Sequence, residues 1–293
     1  MTTHRLLVVG GTGTNGRSLL EQLKAQDVPV RTLVRSVERA RPMLGEEVEL
    51  VEGDLSEPSS LDAALDGIQT AYVLLAVLPN TVELFANFFA AAQRAGVRRV
   101  VKFSGLGASV DSPSEIIRQH AEADDMLRSS GLGYTLLRPN SFHQNMLWQA
   151  PAIAASGTFY LPVGDARQST IDVRDIAAIS ARVLLEDGHD GATYDLTGPE
   201  SLSFNDVAAI IGEERGEPVS FVPVPQEVAE QAMLQQGMDA WSARALAEIQ
   251  ALFGTGAYAD VLPDTEQLLK RTPTSFRQFV CDYKPAFVAG EHT

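Results

Sequence analysis

Gly10, Gly13 and Gly16 stand directly behind the apolar run Leu6-Leu7-Val8-Val9. The chemistry this spacing serves is the binding of a dinucleotide pyrophosphate. Glycine lets the backbone take positive φ and come close to a phosphate, whose charge is attracted by the free amides and positive dipole end of a following helix. Gly11, Gly13 and Gly16 also satisfy the Gly-x-Gly-x-x-Gly dinucleotide fingerprint. The first candidate cofactor ligands are therefore Gly10, Thr12, Gly13, Thr14, Asn15 and Gly16, with a purely structural turn as the alternative. A second group closes the run Val28–Arg35, where an NAD-selective site needs a carboxylate for the ribose 2′-hydroxyl. No acid stands there. Arg35 and Ser36, with Arg39 and Arg41 just beyond, are donors suited to a 2′-phosphate, so the expected cofactor is NADP(H). A solvated helix start explains the same arginines without a ligand.

Further candidates sit where later strands end. Asp54, in Glu52-Gly53-Asp54-Leu55, can accept from an adenine amino group while Leu55 packs on the ring, although a loop or capping aspartate is the plainer reading. Leu75 and Ala76 are apolar and small, as a backbone passing close to a ribose requires. Lys102 and Ser104, two apart on one face of a strand, reach the carboxyl edge of the sheet, where open α/β proteins bind ligands. Asn140 follows Arg138-Pro139 and completes the expected cofactor set.

The elements that must position these residues alternate. Strand-like runs at Leu6–Val9, Val30–Val34, Val48–Val51, Ala71–Leu78, Val97–Phe103 and Tyr134–Leu137 are separated by helical patterns, the rhythm of a parallel sheet. The aromatic stripe in Glu83–Ala90 reads as core packed on that sheet. Ser59 or Ser60, and Asp175, stand where helix caps are expected. Beyond residue 150 come short strands at Thr158–Val163, Ala192–Thr197 and Val219–Pro225, and helices around 203–213, 227–236 and 240–252. The expected fold is α/β: a doubly wound Rossmann parallel sheet with a smaller α+β C-terminal substrate lobe. The expected domains are 1–150, with a return segment about 165–190, and a discontinuous lobe over 151–293.

Bulk properties limit the function classes. The chain has 293 residues, 45% of them apolar, enough for a large core. A net charge of −15 argues against nucleic acid and against a polybasic membrane contact. Cys281, the single cysteine, is expected as a small buried hydrophobe and fits a reducing cytoplasm. Met1 runs into the first strand without a signal-like segment, and no apolar run reaches membrane length, so a cytoplasmic protein is expected. His4, His120, His143, His189 and His292 are scattered, which gives no support to a metal site. Asp172 and Asp175 resemble a carboxylate dyad but suit a helix start.

Taken together, the glycine turn, Arg35, Gly53-Asp54-Leu55, Lys102-Phe103-Ser104-Gly105 and Tyr134-Thr135-Leu136-Leu137-Arg138-Pro139 resemble the short-chain dehydrogenase/reductase superfamily, over most of the chain. More narrowly the sequence resembles the atypical, NmrA-like branch, which includes type 2 NAD(P)H:quinone oxidoreductases, triphenylmethane reductases, azoreductase-like proteins and redox-sensing regulators. The segment Arg271–Val280 is similar to that branch's closing segment. The resemblance implies roles for His120 and Asn145, and by its register Ile116 stands in place of the superfamily's tyrosine and His120 in place of its lysine. In that pair the lysine lowers a phenol pKa so that it can protonate a carbonyl. The chain has six tyrosines, and none is followed four residues later by lysine.

Two functions follow. The protein is a reductase of an acceptor that needs little acid catalysis, a quinone or a conjugated azo or dye compound, with positioning supplying most of the effect. His120 is then the candidate catalytic residue, holding the nicotinamide end or shuttling a proton. Alternatively, the protein binds NADP(H) without turnover and reports redox state to a protein partner. Phe142, Met146, Trp148 and Phe159 suit either the walls for a flat aromatic or quinone-like substrate entering between the lobes or the core, and His143 and Asn145 either open the covering loop or are simply a polar loop entry. Self-association into a homo-oligomer is left open.

Overall fold

The computed structural model describes residues 6–288. In chain order the elements begin β1 Leu6–Val9, α1 Thr14–Lys24, β2 Arg31–Val34, α2 Val37–Leu44, β3 Glu49–Glu52, α3 Asp62–Leu65, β4 Thr70–Val73, α4 Thr81–Arg94, β5 Arg99–Phe103, α5 Glu115–Ser129 and β6 Gly133–Pro139. They continue α6 Ala150–Ser156, β7 Thr158–Leu161, β8 Arg167–Gln168, α7 Val173–Leu185, β9 Ala192–Leu196, β10 Leu202–Ser203, α8 Phe204–Arg215 and β11 Ser220–Pro223. Five helices end the described chain: α9 Gln226–Gln235, α10 Ala240–Phe253, α11 Asp264–Leu269, α12 Phe276–Asp282 and α13 Lys284–Phe287.

Seven strands form one sheet in the order β3-β2-β1-β4-β5-β6-β9. Strands β1 to β6 pair in parallel, with Leu7 opposite Arg31 on one side and Ala71 on the other. The chain reverses its direction of winding between β1 and β4. In an open sheet of this kind the carboxyl ends at such a switch point form the ligand crevice. This is the α/β Rossmann architecture expected from the alternating pattern.

The chain divides into two compact units. The first comprises the chain to Asp111, Ile117–Arg138 and Ile176–Tyr194; the second comprises Ser112–Ile116, Pro139–Asp175 and the chain from Asp195 onward. In the first, β1 is buried along its length because a central parallel strand is covered on both faces. Leu84, Phe85, Phe88 and Phe89 of α4 repeat at helical spacing and enter one core with Leu7, Val73 and Val100. Phe85 and Phe89 stack at 5.7 Å between centroids. The stripe is core, as its spacing implied.

The second unit has its own core, in which Ile153, Phe159, Phe204, Ile211, Phe221, Phe276, Phe279 and Phe287 meet. Ser203 and Asp206 cap α8 reciprocally. Met146 and Phe159 are 5% and 0% exposed, so of their two expected roles, cleft wall or core, they take the core. A rim of two-stranded pairs, β10 with β8 and β11 with β7, borders this core. Helix α7 also departs from expectation. It starts at Val173, so Asp172, whose Oδ1 accepts from the Arg174 amide at 2.8 Å, stands at the cap, and Asp175 falls in the first turn. Ser60 does not cap α3; its hydroxyl accepts from the Asp54 amide at 2.9 Å and donates to Glu57 O at 2.7 Å.

Candidate functional site

The glycine turn joins β1 to α1, and each glycine there has a separate reason. Gly10 has φ of +87°, and a Cβ on it would lie 2.3 Å from Leu74 O, at the end of β4. A Cβ on Gly16 would lie 2.1 Å from Gly10 O, so α1 packs on the turn only with glycine there. A Cβ on Gly11 would meet Thr32 Cγ2 at 2.6 Å. Gly13 is different. Its φ is −77°, and a Cβ would meet nothing nearer than Gly10 O at 3.6 Å. The fold does not require glycine at this exposed position, which leaves the kind of room a phosphate needs.

Gly13 is the N-cap of α1 and no side chain caps the helix, so its first amides have no acceptor within the helix. No acidic residue stands in the first turn to compete for them. Asn15 adds a buried Oδ1 without a hydrogen-bond partner among the described residues. Thr12 is half-buried and Thr14 exposed on the same turn. This cradle fits a dinucleotide pyrophosphate on its own geometry.

Past β2, Arg35 is exposed and forms no ion pair or hydrogen bond among the described residues, and the Arg39 guanidinium is equally unpaired. Arg41 leaves the expected cluster. Its guanidinium donates to Gly45 O at 2.8 Å and Val48 O at 2.9 Å, tying the end of α2 to the approach of β3. The Ser36 hydroxyl caps α2 by accepting from the Arg39 amide at 3.3 Å. One Asp54 oxygen accepts from the amide and hydroxyl of Ser56 at 2.8 and 2.7 Å, which holds this carboxyl below its usual range. Leu55 is buried in the core. Leu75 is half-buried, while Ala76, Val77 and Leu78 are exposed beyond β4. That loop is pinned by the Thr81 hydroxyl, which accepts from the Leu78 amide at 2.9 Å, and by Gln119, which donates to Leu78 O at 3.1 Å.

Lys102 corrects an expectation. Its side chain is 0% exposed and reaches no surface a cofactor could touch. The ammonium turns inward, 2.8 Å from Asp124 Oδ1 and 4.6 Å from the centre of the Phe85 ring. Arg138 grips the other Asp124 oxygen through Nε at 3.1 Å and Nη2 at 2.8 Å. Burial raises the Asp124 carboxyl, but Lys102 and Arg138 outweigh it and hold the group below its ordinary value. Burial also pushes the Lys102 ammonium down, against the pull of Asp124. Asp124 was missed from the sequence, though it lies one helical turn after His120, on the same face.

His120 lies beside this cluster and keeps a partly exposed edge. A Cβ on Gly105 would lie 3.0 Å from its Cδ2 and 3.5 Å from its Nε2, so the ring rests against the backbone at the carboxyl end of β5. Its Nδ1 is buried without a partner among the described residues. Burial first, and then the Lys102 charge, push the imidazole down to about 3, so it is neutral at physiological pH. The Ser104 side chain is 1% exposed, with a buried hydroxyl that has no hydrogen-bond partner among the described residues, so it lies beneath the edge it was expected to line.

Residues expected near the nicotinamide in the second unit have internal work. Asn140 is 2% exposed. Its amide donates to Ser169 Oγ and Tyr258 O, both at 3.0 Å, and its Oδ1 accepts from the Ser141 amide at 2.8 Å, which leaves no free face for a cofactor. His143 lies 2.9 Å from the Thr170 hydroxyl and 3.3 Å from Thr274 O. The carbonyl only accepts, so the proton is on Nε2. Burial lowers this imidazole too. Asn145 donates to the Ser141 hydroxyl at 3.1 Å, Phe142 is half-buried, and Trp148 is 71% exposed. Asp172 and Asp175 are structural: they receive Gln144 and Arg174, and Arg271 and the Thr274 amide, respectively. Cys281 was expected buried but is exposed, its thiol donating to Glu214 at 3.2 Å and raised by that contact. Among the described residues no group of three His, Cys, Asp or Glu could hold a metal ion, and no helix is long and apolar enough to cross a membrane. His4 and His292 lie outside the described residues.

A parallel sheet with an uncapped helix behind a glycine turn at its switch point defines a dinucleotide-binding protein of Rossmann type. The chain belongs to the NmrA-like family, which matches residues 2–280. It is 38% identical over 284 residues to an NAD(P)H azoreductase of Xenophilus azovorans, covering 97% of this chain and 99% of that one. Quinone oxidoreductase 2 of Escherichia coli K12 is 28% identical over 282 residues, covering 94% and 97%. The crystal structure of an NADPH-dependent quinone oxidoreductase from Escherichia coli complexed with NADPH superimposes with a TM-score of 0.88 at 26% identity, over 95% of this chain and 99% of that one. Triphenylmethane reductase of Citrobacter sp. shares the fold, with a TM-score of 0.86 at 24% identity over 96% and 99%.

Proposed function

We propose that this chain is an NADPH-dependent reductase of small conjugated acceptors, quinones or azo or triphenylmethane dyes. The observation that carries this reading is Gly13, a glycine the fold does not need at the uncapped end of α1. The azoreductase and quinone reductase relatives support the acceptor class. The first unit holds the cofactor: the α1 amides with Gly10, Thr12, Gly13, Thr14, Asn15 and Gly16 take the pyrophosphate, and Arg35 with Arg39 and Ser36 the 2′-phosphate. Leu75 and Ala76 flank the ribose, and the second Asp54 oxygen takes the adenine amino group. When bound, NADPH would supply a hydride; a quinone or an azo bond takes one further proton from water, and a cationic triphenylmethane dye takes none.

His120 contacts the reacting end as a neutral hydrogen-bond donor. Cytoplasmic NADPH and a lone cysteine suit the same compartment. The test mixes purified protein with NADPH and a panel of quinones, azo dyes and triphenylmethane dyes, following loss of reduced-nicotinamide absorbance. Turnover with at least one class is expected. Tight NADPH binding without turnover across the panel would replace this reading with a redox sensor.

A further inference from the structure

The charges around His120 form an unbalanced set. Lys102 enters from β5, Arg138 from β6 and Asp124 from α5 itself, and two cations share one carboxylate. One positive charge is therefore left in a region where Lys102 and Asp124 have no exposure and Arg138 little. Charges in such a medium act strongly on their neighbours. Lys102 is also tied to the backbone of His120, donating to its carbonyl at 3.5 Å.

The imidazole beside this set is oriented by its packing. Its Nδ1 is buried without a partner, whereas the Cδ2–Nε2 edge rests against Gly105 at the end of β5. An orphaned buried N–H is rarer than an under-satisfied buried acceptor, so the proton belongs on Nε2 and the lone pair on buried Nδ1.

We propose that Lys102, Asp124 and Arg138 are positioning residues whose surplus positive charge, added to burial, keeps His120 neutral, so that with its buried Nδ1 unprotonated it is a hydrogen-bond donor through Nε2 at the carboxyl edge of β5. In the reductase reading, on which its use depends, this donor meets the ligand heteroatom where negative charge collects. It stands in for the absent Tyr-x-x-x-Lys pair without passing on a proton. A proton-shuttling histidine must take up and release a proton near neutrality; this one is barred from the cationic state by its surroundings.

The test needs no cofactor. Ligand-free protein labelled with nitrogen-15 at histidine is observed by long-range proton–nitrogen correlation from pH 4 to 8, with His120→Gln assigning the signal. The expected wild-type result is an Nε2–H tautomer that does not titrate in this range. Lys102→Met removes one cation and should raise the His120 midpoint by at least a unit, while Lys102→Arg should leave it in place. Arg138→Gln, at a side chain nearer the surface, should move it in the same direction and serves if Lys102→Met does not fold. An Nδ1–H tautomer, a wild-type midpoint near 6.5, or a midpoint unmoved by loss of either cation would overturn the proposal. Turnover measured on the same samples separates the two questions. A protein with this tautomer but no turnover loses the reductase reading alone, whereas turnover whose pH profile follows a titrating His120 removes the fixed donor.

Discussion

Gly13 and Gly16 look alike in the sequence and have opposite reasons for being glycine. Gly16→Ala drives a Cβ to within 2.1 Å of backbone, a contact no side-chain motion relieves, and should destabilise by about 1–3 kcal/mol or more. Gly13→Ala meets only ordinary contact and should leave the thermal midpoint within about 2 °C of wild type. Its cost falls on the cofactor, with NADPH affinity dropping at least roughly tenfold. Thermal melts paired with fluorescence titrations of NADPH separate the two; equal effects of both substitutions would show that the turn is only structural. At Arg35, replacement by alanine removes a charged donor worth about 1.5–3 kcal/mol, roughly ten- to a hundredfold in affinity. That loss should fall on NADPH and hardly on NADH. Equal losses in titrations of the two reduced cofactors would remove the 2′-phosphate argument.

Helix α5 and strands β5 and β6 act together at the next scale. They bring Lys102, Asp124 and Arg138 into one buried set, and removal of one member strands the others. Asp124→Ala should cost about 3–5 kcal/mol, because it leaves two cations facing each other without a counter-charge. Asp124→Ala combined with Lys102→Met should recover part of that loss, which urea unfolding of the single and double variants would measure. In α4 the aromatic stripe was legible because its spacing is helical and nothing else in the chain competes for it. Phe88→Ala, at a site with no exposure, should cost about 3–5 kcal/mol with little change in NADPH affinity in folded protein. The α7 cap was placed three residues late because both Asp172 and Asp175 satisfy the local rule. Only their partners, Arg174 and Gln144 against Arg271 and Thr274, distinguish them.

The whole molecule records these environments in its acid stability. His120 and His143 have folded-state values below their ordinary 6.5, the former at about 3. The unfolded chain therefore binds protons below pH 6.5 that the folded chain refuses, so stability is complete above that value and declines as pH falls toward 3. Asp124 and Asp172 lie below their ordinary 3.8 and add a loss at still lower pH. The interval from pH 6.5 to about 4.5 isolates the histidines. Thermal melts across it should show a falling midpoint, with a shallower fall in His120→Gln. A flat profile in wild type would contradict the burial of both rings.

The amino-acid sequence alone determined the alternating α/β order, the glycine turn, the arginine that stands where an acid would select NAD, and the lack of a Tyr-x-x-x-Lys pair. These are local in the chain: periodicity, spacing and residue type carry them. Tertiary structure decided which polar residues near the strand ends face outward. Lys102, Ser104 and Asn140 stand at plausible positions in the sequence, yet all three lie inside, Lys102 and Asn140 among partners from distant segments. The charge on His120 was also beyond sequence, because an imidazole is placed on its titration scale by burial and by cations 18 residues away in either direction, Lys102 on β5 and Arg138 on β6. Burial depends on packing between segments far apart in the chain, and spacing along one segment does not encode it.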